Sequence, residues 1–156
     1  MDDTIGAFIF AMKDKLLLFH LLSDDEVEKI TGYFEIALFP AGTILFREGE
    51  PGDYIGFIVS GALEVKKQTE FKGKAIVLAT LKKGSFVGEM SLMGPHEPRS
   101  ATVVALEDSE LVILKREELD ALIDNYPRIG IKILRGLNQI LTIRLRKTVD
   151  RLTSIF

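Results

Sequence analysis

The sequence predicts an α+β, mainly β fold: a closed sandwich, jelly roll or small barrel with helices at both ends. Three observations carry this. Between about residues 36 and 114, short apolar runs alternate with glycine-bearing turns, the pattern of antiparallel strands on tight connections. Before and after that stretch the apolar period lengthens to three and four residues, the mark of amphipathic helices. No strand run alternates with a long helical run, so a parallel α/β sheet is not expected. At 156 residues the chain suits one domain with a sizeable core.

In chain order, Ile5, Phe8, Ile9, Met12 and Leu16 recur at helical spacing and give an amphipathic N-terminal helix. Ser23-Asp24-Asp25-Glu26 opens a second helix, with Ser23 as N-cap and Glu26 as its capping-box partner. The strand runs are 36–39, 43–46, 54–59, 63–67, 75–81, 102–106 and 111–114. The turns between them include Ala41-Gly42, residues 49–53, Ser60-Gly61, residues 72–74 and Lys83-Gly84. Residues 117–124 form a short helix, Asn125-Tyr126-Pro127 interrupts it, and Pro127 suits the first turn of another. In the last helix Leu134, Leu137, Leu141, Leu145, Val149, Leu152 and Phe156 follow steps of three and four. Such a stripe packs on the body, on a twin helix, or both; its length favours a coiled-coil dimer. The organisation expected is N-terminal helices over 1–34, a β-rich part over 35–115 and C-terminal helices over 116–156, in one structural domain.

Composition removes several function classes. There is no cysteine, so disulfides, thiolate metal sites and iron–sulfur clusters are excluded. The two histidines, His20 and His96, are far apart and too few for the metal triad of an enzyme on a β-barrel, so no metal is expected. The acidic start Met1-Asp2-Asp3 and the apolar stretch that stops at Lys13 fit neither a secretory signal nor a spanning helix of about 20 apolar residues. A soluble, cytoplasmic protein is expected, with no membrane partner. Residues 127–156 hold seven bases and one acid, leaving −9 on the remainder of a chain of net charge −3. A basic tail on an acidic body marks a partner surface or internal complementarity, or a helix facing solvent.

The segment from Phe86 to Val103 carries the chemistry. One acid, Glu89, and one base, Arg99, stand at the ends of a short turn built with Gly88, Gly94, Pro95 and Pro98. Opposed charges on a short turn suit a two-sided ligand, a hydroxyl at one end and an anion at the other. The planar fork of Arg99 matches phosphate oxygens. Glu89 would repel a phosphate but accept from a hydroxyl, and Gly88 lets a backbone approach closely. Residues 89–92 are expected to start a short helix whose amides, with those around Ser100 and its hydroxyl, complete an anion nest. The plainer alternative is that Arg99 and Glu89 pair with each other. His96 reads as a solvated loop residue.

The stretch 86–92, the ten residues from Glu89 to Arg99, and Arg99-Ser100-Ala101-Thr102 resemble the phosphate-binding cassette of cyclic-nucleotide-binding domains. That family includes the bacterial catabolite activator, the regulatory subunits of cyclic-AMP-dependent protein kinase and nucleotide-gated channels. Upstream, Pro40-Ala41-Gly42-Thr43, the run from Phe46 to Asp53 and Ile58-Val59-Ser60-Gly61 agree, and the likeness runs from about Phe19 into the last helix. The resemblance implies an eight-stranded jelly-roll (double-stranded β-helix) barrel with N-terminal helices and a long C-terminal helix. It implies a cyclic nucleotide as ligand, no cofactor and no catalysis. Arg99 would take the phosphate and Glu89 the ribose 2′-hydroxyl, with Gly88, Met90, Ser91, Ser100 and Ala101 completing the cassette. Val65, Leu78, Leu81 and Met90 match residues that line the base pocket, and all four also fit barrel core.

In the family the last helix closes over the base as a lid, and Arg144 falls at a position that contacts it. Arg144 replaces a short hydroxyl residue of the catabolite activator, and it fits the basic solvent face equally well. Ser100 follows the bacterial cyclic AMP pattern and favours cyclic AMP over cyclic GMP. The expected function is a sensor whose ligand moves the C-terminal helix, read out by a homodimer through that helix or by a separate effector protein. The tail after Gly136 has neither glycine nor proline for a second turn, so a helix-turn-helix and DNA binding are not expected. A structural or protein-interaction domain of the same fold, responding to another ligand or none, is the competing reading.

Overall fold

The capping box written into residues 23–26 forms as expected. Glu26 N donates to Ser23 Oγ at 3.3 Å and Ser23 N to Glu26 Oε1 at 3.0 Å, starting the helix Asp24–Ile30. The structure, a computed structural model, describes residues 3–13, 17–71, 73–92 and 97–155. It divides into two compact units: Met1–Thr31 with Ala121–Phe156, and Gly32–Asp120.

The first unit is helical. Helix α1 (Asp3–Met12) buries Ile5, Phe8 and Ile9, three residues of the expected stripe. The side chains of Met12 and Leu16 lie outside the described residues. Helix α2 (Leu17–His20) packs on the last helix and buries Phe19 completely. Helix α3 (Asp24–Ile30) buries Val27 and Ile30. Helix α4 (Arg116–Asn125) runs along the chain from one unit into the other, and Tyr126 separates it from α5 (Pro127–Ile155), whose first residue is the proline. Across this unit Lys132 Nζ of α5 donates to Glu26 Oε1 at 2.6 Å. That bond first, and the Ser23 amide next, hold the Glu26 carboxyl below its ordinary range.

Burial along α5 is uneven. Ile129, Ile133 and Leu137, spaced four apart, are buried; from Asn138 to Ile155 no residue is. Within the apolar stripe read from the sequence, Leu134 is exposed, Leu137 is buried and Leu141 is half-buried, while Leu145, Val149 and Leu152 are exposed. Phe156 lies outside the described residues. No helix of the described residues is long and apolar enough to cross a membrane.

The second unit holds eight antiparallel strands in two four-stranded sheets: β1 (Phe34–Phe39), β2 (Ile44–Phe46), β3 (Tyr54–Ser60), β4 (Ala62–Gln68), β5 (Ala75–Lys82), β6 (Phe86–Val87), β7 (Thr102–Ala105) and β8 (Ser109–Lys115). One sheet has the order β1-β8-β3-β6 and the other β2-β7-β4-β5. Seven strands fall on the seven apolar runs; β6 is too short to show a period of its own. The jelly-roll architecture is that expected, with the sheets packed face to face and unclosed. Phe46, Ile58, Leu63, Val87, Val103, Ala105, Leu111 and Ile113 form the core, with Val65 and Leu81 packed against it. Strand β6 pairs Phe86 with Phe57 and Val87 with Gly56. That short pairing anchors the start of the segment that carries the charged pair.

Candidate functional site

Arg99 is the centre of the site. It is 3% exposed, and its guanidinium lies over two rings, 3.9 Å from the Phe46 centroid and 4.4 Å from that of Tyr54. The rings meet edge to face, their centroids 6.1 Å apart. Nη1 donates to the carbonyls of Tyr54 at 2.9 Å and Gly88 at 3.5 Å. Nε is buried and has no hydrogen-bond partner among the described residues. The partners of this cation are thus main-chain carbonyls. Burial pushes its pKa down, while Tyr54 first and the acids Asp53, Glu50 and Glu89 next oppose that shift. A guanidinium stays protonated through such shifts. A buried cation with an unused donor attracts an anion, because the anion would return the solvation that burial removed.

The main chain around Arg99 is fixed from both sides. Arg99 N donates to Glu50 O and Gly49 N to Arg99 O, both at 2.8 Å. The next carbonyl, that of Ser100, accepts from Lys67 Nζ at 2.9 Å. Lys67 also donates to Glu48 Oε1 at 3.1 Å, Gln68 N to Glu48 Oε2 at 3.0 Å, and Glu48 N to Thr102 Oγ1 at 3.0 Å. Glu48 therefore ties the loop after β2 to β4 and to the Arg99–Thr102 segment. The Gln68 amide first and Lys67 next hold its carboxyl below the ordinary range.

Opposite Arg99 stands the turn Glu89–Leu92, a single 3-10 turn. It follows Gly88, whose φ of 83° few L residues adopt; a Cβ there would overlap Arg99 Nη1 and stand 2.7 Å from Tyr54 O. Gly52, in the loop before β3, is constrained by its neighbours alone. A Cβ on it would overlap Ser91 Oγ and come within 2.6 Å of Arg99 Nε.

The structure brings together four of the residues singled out in the sequence. Gly88, Glu89, Ser91 and Arg99 gather around one turn and one guanidinium. Ser91 is 1% exposed, and its amide donates to Gly88 O at 3.1 Å within the turn. Ser100 is exposed and Ala101 buried, the two neighbouring residues pointing their side chains to different environments. Val65 and Leu81 are half-buried against the core, whereas Leu78 on β5 is 55% and Met90 48% exposed, so these two are not core residues. Arg144 is an exposed residue of α5 in the helical unit. His96, Gly94 and Pro95 lie outside the described residues. Among those described, no cluster of three or more acids or histidines is placed to hold a metal.

Sequence reasoning missed Phe46 and Tyr54 as the bed of Arg99, the Glu48–Lys67 pair, and Arg116, whose Nη1 donates to the carbonyls of Gly52 at 3.0 Å and Ser91 at 3.2 Å. The stretch 46–54 did carry a signal, a Gly-Glu-Pro-Gly turn between two apolar runs. Its value for the site appears only once β3 is folded beside the Arg99 segment.

Three comparisons bear on this geometry. The family model described as the cyclic nucleotide-binding domain matches residues 37–126. The cyclic AMP receptor protein of Thermus thermophilus is 38% identical over 130 residues, 83% of this chain and 57% of that protein. The chain thus spans a little over half the length of that relative. The crystal structure of a cyclic nucleotide-binding domain from Methylobacillus flagellatus superposes with a TM-score of 0.86 at 34% identity, covering 99% of this chain and 85% of that one. The regulatory domain of Toxoplasma gondii PKA, crystallised with cAMP, superposes with a TM-score of 0.67 at 25% identity, covering 78% of this chain and 45% of that one.

Proposed function

The chain belongs to the cyclic nucleotide-binding domain family, and from that premise we propose that it is a cyclic AMP sensor whose occupancy moves its C-terminal helix. One observation carries the ligand assignment: the buried Arg99 guanidinium, bedded on Phe46 and Tyr54, with its Nε unpartnered. A cyclic nucleotide has a single phosphodiester charge, which one guanidinium balances. In this reading Glu89 accepts from the ribose 2′-hydroxyl, Gly88 gives the sugar room, and Ser100 and Ala101 lie along the phosphate. Val65, Leu78, Leu81 and Met90 offer apolar surface to the base. The exposure of Leu78 and Met90 supports that role, since neither is needed to fill the core. For Arg144 the support is its place in the family pattern.

Cyclic AMP is preferred to cyclic GMP on Ser100, on the Thermus relative's name and on the nucleotide in the Toxoplasma structure. The output we propose is a homodimer through α5, whose Leu145, Val149 and Leu152 are exposed, or a separate effector protein. Titration calorimetry with both nucleotides tests the reading. Binding of cyclic AMP, weakened in Arg99→Ala, supports it. Heat from neither nucleotide, or binding unchanged in Arg99→Ala, overturns it in favour of an interaction domain that kept the fold.

A further inference from the structure

Arg116 follows β8 directly and is the first residue of α4. A cation at a helix N-terminus opposes the helix dipole, so its place there needs another cause. The cause is a set of carbonyls. The Arg116 amide donates to Asp53 O at 2.6 Å, and its Nη1 donates to Gly52 O at 3.0 Å and to Ser91 O at 3.2 Å. The loop 52–54 is therefore held by two guanidinium groups: Arg99 takes the Tyr54 carbonyl, and Arg116 takes that of Gly52. Ser91 belongs to the turn Glu89–Leu92, so one nitrogen of Arg116 joins that turn to the loop behind Arg99. The backbone of the same residue begins α4. Bonds from a charged donor are strong and direction-dependent, and a displacement of the turn by about 1 Å would take the Ser91 bond beyond hydrogen-bond length.

We propose that Arg116 is the positioning residue that couples occupancy of the turn Glu89–Leu92 to α4. The inference rests on the nucleotide reading above and goes beyond it by naming the route out of the site. Arg116 touches no ligand in this scheme; it acts through the Ser91 and Gly52 carbonyls.

Hydrogen exchange on the full chain, with and without saturating cyclic AMP, tests this in wild type, Arg116→Ala and Arg116→Lys. In wild type the nucleotide is expected to slow exchange both at residues 86–92 and at 120–125 of α4. In Arg116→Ala the first response persists and the second falls to less than half. The same variant is expected to bind cyclic AMP about three- to thirty-fold more weakly. Because one nitrogen makes the bonds to Gly52 and Ser91, the lysine variant is expected to recover at least half of the α4 response; should Arg116→Ala not fold, the lysine variant compared with Arg116→Gln gives the same contrast. A purely structural arginine would lower the melting temperature and leave the ligand-driven change in α4 at its wild-type size, and that result overturns the proposal. So does a wild-type chain that responds at 86–92 but not in α4. A wild-type chain that does not respond to cyclic AMP at 86–92 overturns the ligand assignment, and this inference with it.

Discussion

Arg99 and Gly88 bear on each other, and their substitutions separate two effects. Arg99→Ala removes the cation that the proposed site presents to the phosphate. A hydrogen bond to a charged group contributes about 1.5–3 kcal/mol net, so cyclic AMP affinity is expected to fall by roughly ten- to a hundred-fold, measured by calorimetry. The same variant removes a desolvated charge from between two rings. Its melting temperature is expected to change little, since desolvation of the charge opposes folding while its two carbonyl bonds and two ring contacts favour it. Gly88→Ala differs in this respect. A left-handed backbone costs a non-glycine residue about 1–2 kcal/mol, and the new methyl collides with Arg99 Nη1. Thermal unfolding and calorimetry on this variant are expected to show both stability and affinity reduced. The charged pair was legible in the sequence because spacing and residue type survive without coordinates. The ring bed was not, because Phe46 and Tyr54 lie far from Arg99 in the chain and look like ordinary strand residues.

At the scale of elements, Glu26 shows how a local signal acquires a distant partner. Its capping role was readable from Ser23-Asp24-Asp25-Glu26 alone, since a capping box spans four residues. Its bond to Lys132 was not, since it joins residues 106 apart in sequence. Glu26 has a lowered pKa in the folded chain, so its contribution is complete above the unfolded carboxylate value and is lost as pH falls through the folded one. Glu26→Gln is expected to cost about 1 kcal/mol at pH 7. Thermal melts run from pH 7 to pH 3 should show the gap to wild type closing as acid is added; a gap of constant size would sink this account. Among the strands, β6 escaped detection for a related reason. Two residues cannot display alternation, and Phe86–Val87 is a strand only because β3 lies beside it.

For the whole molecule, the sequence indicated an apolar stripe on the last helix but not where burial stops. Periodicity records which residues share a face and is silent on what covers that face. Here the change comes at Leu137, after which the remaining 18 residues of α5, Asn138–Ile155, are all at least partly exposed. If the exposed part of the stripe pairs with a second copy, Leu145→Glu with Leu152→Glu is expected to give a monomer by sedimentation velocity where wild type is a dimer. A wild-type monomer at micromolar concentration, with and without cyclic AMP, would count against the proposed dimer. The jelly roll itself was readable because glycine-marked turns punctuate nearly every strand.

The edge-to-face contact of Tyr54 with Phe46 beneath Arg99 also has an optical consequence. The chain has three tyrosines and no tryptophan, so its near-ultraviolet emission is dominated by phenols. Of the three, Tyr54 has its ring 4.4 Å from the guanidinium, and burial raises its phenol's pKa. A phosphate drawn to Arg99 changes the field across that ring. If the nucleotide binds at Arg99 as proposed, Tyr54 is a native chromophore beside it, and binding is expected to change the emission without a label.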